Sequence, residues 1–311
     1  MAIMRSATEK EDLRRWVKFS KEKAQRLLAH AEDLSRSVFS SSDHFISFLD
    51  LTSRIHHYDA YNLLLIWEKC PSASCLAGYK VWERQLPPGS QVLRKEHIGK
   101  GIDLIAPFTD GSHEQSRLVW YSVSVFDISQ TMLPSIPSSN NSPYFQDENH
   151  EYFIVDALKQ ILGTKFQRSV VIQPPTRLMQ ETGLPGQLTE KTILIRDDLP
   201  HLELLQWLTE TVVQLSIEEK NLSAPASQLM RNCVQHCLFR IWGLEDFTRP
   251  PSCAQLESVA FKEMSFLHLL RDTLRELDSL SCSLYLSSRQ QDDDLNDFEL
   301  DELLYLPKIQ H

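Results

Sequence analysis

The hydrophobic positions of this 311-residue chain change their period twice. Between residues 8 and 38, Leu13, Trp16, Val17, Phe19, Ala24, Leu27, Leu28, Ala31 and Leu34 recur at roughly helical spacing with charges between them, which predicts a long amphipathic helix. Ser40-Ser41-Ser42-Asp43 offers N-cap chemistry for a second helix, His44 to Ile55. A third is expected from about Asp59 to Lys69, stopping before Pro71, with Leu63, Leu64 and Ile66 as its core candidates. From Ala77 to Phe126 the helical period is lost. Short segments are broken by Pro87-Pro88-Gly89, Gly99-Lys100-Gly101 and Asp110-Gly111, which are turn signals. Gly78 to Trp82 reads as a short strand leading into a helical turn, and Ile102 to Pro107 and Leu118 to Phe126 read as strands. A small sheet covered by the preceding helices is the simplest packing.

Residues 131–150 are rich in Pro, Ser and Asn and read as a linker. Beyond it, Tyr152 to Leu162 is an amphipathic helix ending at Gly163, and Ser169 to Gln173 and Thr192 to Arg196 are strands. Helices follow over His201 to Lys220, Ser223 to Trp242 with Gly243 as the cap, and Cys253 to Leu280. The expected fold class is α+β: N-terminal helices on a small β-sheet, then a second, mostly helical α+β domain. The boundaries expected are 1–131, a linker at 132–149, a domain at 150–286 and an acidic tail at 287–311.

Charge refines this picture. The net charge of −10 argues against a general nucleic-acid coat. It is uneven, however. Residues 1–130 hold 17 Lys and Arg against 16 Asp and Glu, and the remainder holds 15 against 26. The front half can therefore carry a local basic face. No run of about 18 apolar residues exists for a membrane span, and the N-terminus lacks the apolar core of a signal peptide. A cytoplasmic protein with reduced cysteines is the expectation. Cys233 and Cys237 with His236 raise a metal site, but their spacing fits one helix turn in an apolar run, which favours buried packing. No cofactor is expected.

The candidate chemistry lies between His56 and Thr131, where rings, amides and cations alternate with apolar residues. Tyr58, Tyr79 and Trp82 offer stacking faces, and Asn62 and Gln130 can bond base edges. Lys80, Arg94, Lys95 and Lys100 can meet phosphates. Each ring taken alone reads equally as core packing, and each cation as a solvated group. The constellation points to single-stranded nucleic acid.

Four blocks carry a family resemblance. They are Tyr58 with Asn62, Ala77-Gly78-Tyr79-Lys80 with Trp82, Lys100-Gly101-Ile102 with Ile105-Ala106-Pro107, and Val125-Phe126-Asp127-Ile128-Ser129-Gln130-Thr131. In this order, over about 75 residues, they resemble the N-terminal domain of the ArdC-type anti-restriction proteins of plasmids and mobile elements. The resemblance implies that this domain binds single-stranded DNA. The chain departs from the family at His97-Ile98-Gly99-Lys100-Gly101, where Gly-Glu-Lys-Gly is usual, and at Asp103, where Lys or Arg is common.

The same resemblance implies a zincin-like metallopeptidase domain after the linker. That chemistry needs His-Glu-x-x-His on one helix: two imidazoles a turn apart and a glutamate to activate water. The best frame is Leu205 to Val213, which puts Glu210 on the glutamate but Thr209 and Val213 on the histidines. Met230 or Asn232 falls near the acidic third ligand. His201 and Glu203 lie two turns early, and His236 alone makes no zinc centre. The expectation is a pseudo-peptidase without metal or enzymatic activity, with Glu210 vestigial or simply solvent-facing. A metallopeptidase with unusual ligands is the enzymatic alternative. The segment Gln290 to Leu306 mixes acids with apolar residues. It reads as a flexible tail, or as a docking segment whose Leu295, Phe298 and Leu303 enter a partner groove. It could also cover the basic face and compete with DNA. A protein-interaction factor is thus the other functional alternative.

Overall fold

Burial follows only part of the apolar stripe of the first helix, since Trp16 and Phe19 stay 56% and 58% exposed. Ala24, Ala31, Leu34 and Val38 line the inner side of α1 (Ala7–Val38), while Arg15, Lys18 and Arg26 remain exposed. The computed structural model describes residues 7–110, 117–133, 150–218, 220, 222–244, 251 and 262–292. Its contacts divide the chain into two units, residues 1–138 with 262–268, and residues 139–261 with 269–311.

In the first unit α1 is followed by α2 (Ser42–Ile55), whose N-cap Ser41 accepts a hydrogen bond from His44 N. Next comes α3 (Ala60–Lys69), where Asp59 caps by accepting from Asn62 N. These side chains occupy donors that the first helical turn leaves without partners. Phe45, Phe48, Leu49, Leu63, Leu64 and Ile66 form the apolar core between these helices. Strand β1 (Leu76–Ala77) leads into the short helix α4 (Tyr79–Arg84). A long hairpin of β2 (Ile102–Asp110) and β3 (Arg117–Asp127) completes the sheet in the order β1-β3-β2, all antiparallel. Helix α1 packs on β3 and β2, and α3 on β2.

β1 pairs only with Phe126 and Asp127 of β3. Farther along that edge α1 takes over. The Ser20 hydroxyl accepts from Ser122 N at 3.0 Å and donates to Ser122 O at 3.2 Å. A strand edge with bare backbone groups is a template for unwanted pairing, and the helix blocks it here.

The second unit holds α5 (His150–Thr164), β4 (Ser169–Gln173), α6 (Arg177–Thr182), β5 (Gly186–Leu188) and β6 (Thr192–Arg196). Helices α7 (His201–Glu218) and α8 (Ala224–Ile241) follow. Its sheet runs β4-β6-β5, with β4 parallel and β5 antiparallel to β6. Ile193 and Ile195 of β6 are buried, as are Leu205, Leu208 and Val212 of α7 and Leu229, Val234 and Leu238 of α8. The final helix α9 (Glu263–Asp292) runs twelve residues past its expected end at Leu280. Its Phe266 meets Phe39 edge-on in the first unit, and Glu276 pairs with Lys165 at 2.6 Å in the second.

The α+β class holds, with helices and two small sheets. Among the described residues no helix is long and apolar enough to cross a membrane. Helix α6 and strand β5 add to the elements expected from sequence. The former is fixed by local chemistry, with Thr176 accepting from Met179 N and Gly183 closing it in the left-handed region at φ 69°. Most of the expected linker and the docking segment beyond Asp292 lie outside the described residues.

Candidate nucleic-acid interface

The segment Val125 to Thr131 builds a hydrogen-bonded knot. Asp127 is buried, and its Oδ1 accepts from Ser74 N at 2.8 Å and Cys75 N at 3.1 Å. Its Oδ2 accepts from Ser129 N at 2.9 Å and from the Ser129 hydroxyl at 2.6 Å. Gln130 closes a capping box, its Oε1 accepting from Asp127 N at 2.9 Å. The Gln130 Nε2 donates to Lys100 O at 3.2 Å, and Arg94 N donates to Gln130 O at 3.0 Å. The Arg94 guanidinium donates from Nε to Thr131 O at 2.9 Å. One turn thus holds three chain segments: residues 74–75, residues 94–100 and itself. Burial, together with the Asp127 charge, pushes the nearby Cys75 thiol above its usual range.

Several residues expected to touch DNA belong to this framework instead. Asn62 is buried, with its amide spent on both backbone groups of Ile105. Trp82 is only 5% exposed and packs with Val92, Leu93, Phe126 and Ile128. Its Nε1 donates to Phe126 O at 2.9 Å. Gln130 is buried with its amide spent as described. Base stacking or base-edge contact is closed to these three, because a buried polar group keeps the partners that pay for its desolvation. Tyr58 is half-buried, and its hydroxyl donates to Leu76 O at 3.2 Å. Burial, then the neighbouring Cys75, pushes that hydroxyl up to about 12.

The remaining expected residues stay at the surface. Tyr79 is 43% exposed at the head of α4, next to exposed Lys80. Arg94, Lys95 and Lys100 are exposed on the loop that the knot pins, which turns through a single 3-10 turn at Lys95–His97. Gly99 adopts φ 74°, and a Cβ at Gly101 would press to 3.1 Å from the Phe126 ring, so this Gly-Lys-Gly presents Lys100 on a tightly seated turn. Asp103 does not set an unopposed negative charge beside it. Lys23 of α1 pairs with its Oδ1 at 2.7 Å, and the Ser124 hydroxyl donates to it at 2.7 Å. Three further rings of the first unit, none of them expected to touch DNA, are exposed: Trp120 at 40%, Trp16 at 56% and Phe19 at 58%. The cue was available for Trp16, which stands among the cations of residues 15–26.

In the second unit, Glu210 points to solvent on α7. Thr209 and Val213 are fully buried, and the Thr209 hydroxyl donates to Leu205 O at 2.8 Å. Their face of α7 is apolar core. Met230 is buried, Asn232 accepts from Gln228, and the His201 ring lies tilted against Tyr152 with centroids 4.0 Å apart. Cys233 and Cys237 are core residues of α8. Burial, then Cys237, pushes the Cys233 thiol well up. Among the described residues no group of three or more His, Cys, Asp or Glu side chains converges in a way that could hold a metal ion. Trp207 of α7 lies over β5, its ring 2.5 Å from where a Cβ on Gly186 would be. No family model, curated protein or solved structure matches the chain.

Proposed function

We propose that the first unit binds single-stranded DNA through Tyr79, Lys80, Arg94, Lys95 and Lys100, and that it does so as an anti-restriction factor of ArdC type serving a mobile element. One observation carries this reading. A cation-bearing loop that would otherwise be pliable is hydrogen-bonded at both ends to the Asp127–Gln130 turn, which leaves Lys95 and Lys100 outward. A fixed cationic loop meets phosphates without the ordering cost of a mobile one. Tyr79 adds a ring on which a base can stack. In this reading the second unit is a zincin-like scaffold without peptidase chemistry. Its support is the run of helix, strands and two helices from α5 to α8, and the solvent-facing Glu210 between buried Thr209 and Val213.

Anisotropy titration of the full chain with a labelled thymidine oligomer, at low and moderate salt, tests the DNA reading. Saturable binding that weakens steeply with salt is expected. No binding at low salt removes the reading. For the second unit, metal analysis of the purified protein is expected to give far less than the one zinc per chain that a working zincin carries.

A further inference from the structure

The four blocks that carry the resemblance begin at Tyr58, so α1 lies outside them. Its exposed side is nonetheless chemically distinctive. Residues 15–26 carry Arg15, Lys18, Lys21, Lys23 and Arg26 against the single acid Glu22. Arg15 pairs with Glu11, and Lys23 with Asp103. Lys18, Lys21 and Arg26 make no ion pair among the described residues. Among these cations stand Trp16 and Phe19, 56% and 58% exposed. Both are large rings that a helix facing only water would not keep outward at this density.

Spacing orders the face. Trp16, Phe19, Lys23 and Arg26 fall at i, i+3, i+7 and i+10, one stripe about 15 Å long. The Trp16 ring lies parallel to Tyr121 of β3, centroids 6.3 Å apart, and the Lys21 ammonium sits 5.6 Å from the centre of the same Tyr121 ring. Ser20 and Ser122 lock this part of the helix to the sheet. The rings are thus presented on a rigid element.

The stripe also joins the loop described above. Lys23 grips Asp103, only three residues beyond Lys100, a reach of roughly 10 Å along extended chain. Cations therefore continue from Lys95 and Lys100, through the neutralised Lys23–Asp103 pair, onto α1. A polyanion with flat apolar faces matches exposed cations such as Lys18 and Arg26 set beside the half-exposed Trp16 and Phe19 rings. An acidic peptide would use the cations and leave the rings without a purpose.

We infer that the exposed side of α1 is a second contact surface for single-stranded DNA, with Trp16 and Phe19 stacking bases while Lys18 and Arg26, exposed on the same side, neutralise phosphates. This rests on the reading that the unit binds single strands, and it extends the strand's path beyond the 94–100 loop.

The test uses the full chain and two oligomers of about 15 nucleotides, one of thymidine and one abasic, a length within the range such surfaces cover. Trp16→Ala with Phe19→Ala is expected to weaken the thymidine strand about 10-fold or more and to leave the abasic strand nearly unchanged. Trp16→Phe with Phe19 intact is expected to recover most of the loss. Lys18→Glu with Arg26→Glu, at exposed positions that do not test packing, is expected to weaken both strands. If wild type binds thymidine and the ring variant binds it equally well, this inference falls and the DNA reading stands. Equal loss on both strands means no stacking and also overturns it, as does polyglutamate competing as well as the thymidine strand. Wild type that binds neither strand overturns the DNA reading and this inference together.

Discussion

Asn62 holds the Ile105 peptide at both of its polar groups. Its Oδ1 accepts from Ile105 N at 2.8 Å, and its Nδ2 donates to Ile105 O at 2.8 Å. The amide also reaches Asp59 Oδ2 at 2.6 Å, so one side chain ties the cap of α3 to the middle of β2. Asn62→Leu keeps the volume and strands two buried backbone groups. The expected cost is about 2–6 kcal/mol, summed over two groups that each cost about 1–3 when left unsatisfied. Urea unfolding should show a lower midpoint at an unchanged slope.

Asp127→Asn tests the knot. A carboxylate can accept on both oxygens, whereas an amide turns an N–H₂ toward either the Ser74 and Cys75 amides or the Ser129 group. Destabilisation of about 2–4 kcal/mol is expected. Hydrogen exchange should quicken first at Ser74, Cys75 and Ser129. DNA affinity should fall with it, because the 94–100 loop loses its mooring.

Tyr58 gives a pH signature. Its folded value of about 12 lies above the ordinary 10.0, so the folded protein keeps this proton longer than the unfolded chain. The stabilisation is complete below pH 10 and is lost as pH rises from about 10 to about 12, at most about 3 kcal/mol. An ordinary amine loses its proton in the same window. The measurement is therefore the stability difference between wild type and Tyr58→Phe from pH 9 to 12, which should shrink or change sign as pH rises. A difference that stays flat contradicts the buried-hydroxyl account.

Gly186→Ala drives a Cβ to 2.5 Å from the Trp207 ring and 2.6 Å from Leu194 O. The ring must shift, at an expected cost of about 1–3 kcal/mol. A changed near-ultraviolet tryptophan signal should accompany the lower thermal midpoint.

Lys95→Ala with Lys100→Ala should behave in the opposite way. Both side chains are exposed, so stability should stay within about 0.5 kcal/mol. DNA affinity should drop, and the salt dependence should flatten by about two phosphate contacts.

What the sequence disclosed, and what it hid, follows from how far apart partners lie. The cap of α2 was legible in Ser40 to Asp43 because a cap bonds within three residues, and Ser41 fills it; Asp59, read as the start of α3, is its cap. Gly243 was legible as a terminator, and it adopts φ 71°. The roles of Asn62, Trp82 and Gln130 were not legible, because their partners Ile105, Phe126 and Lys100 lie 43, 44 and 30 residues away. A polar or aromatic residue in a distinctive block then reads as a binding group, although here it fastens the fold. Trp16 and Phe19 erred in the other direction. Helical spacing counted them with the core, but the buried arc of α1 centres on Ala24 and Ala31 and leaves both rings outward. In the second unit the frame of Leu205 to Val213 did not reveal which side of α7 is core, and Thr209 and Val213, at the histidine positions of that frame, are buried.

Ser20 lends β3 the two bonds that a neighbouring strand would give at Ser122. Helix α1 is therefore part of the ribbon's hydrogen bonding as well as its lid. Excision of residues 1–41 would bare a raw margin beside β1, and the shortened protein would recruit its own copies to satisfy it, so that loss of solubility, not loss of helicity alone, is the fate in store for the trimmed chain.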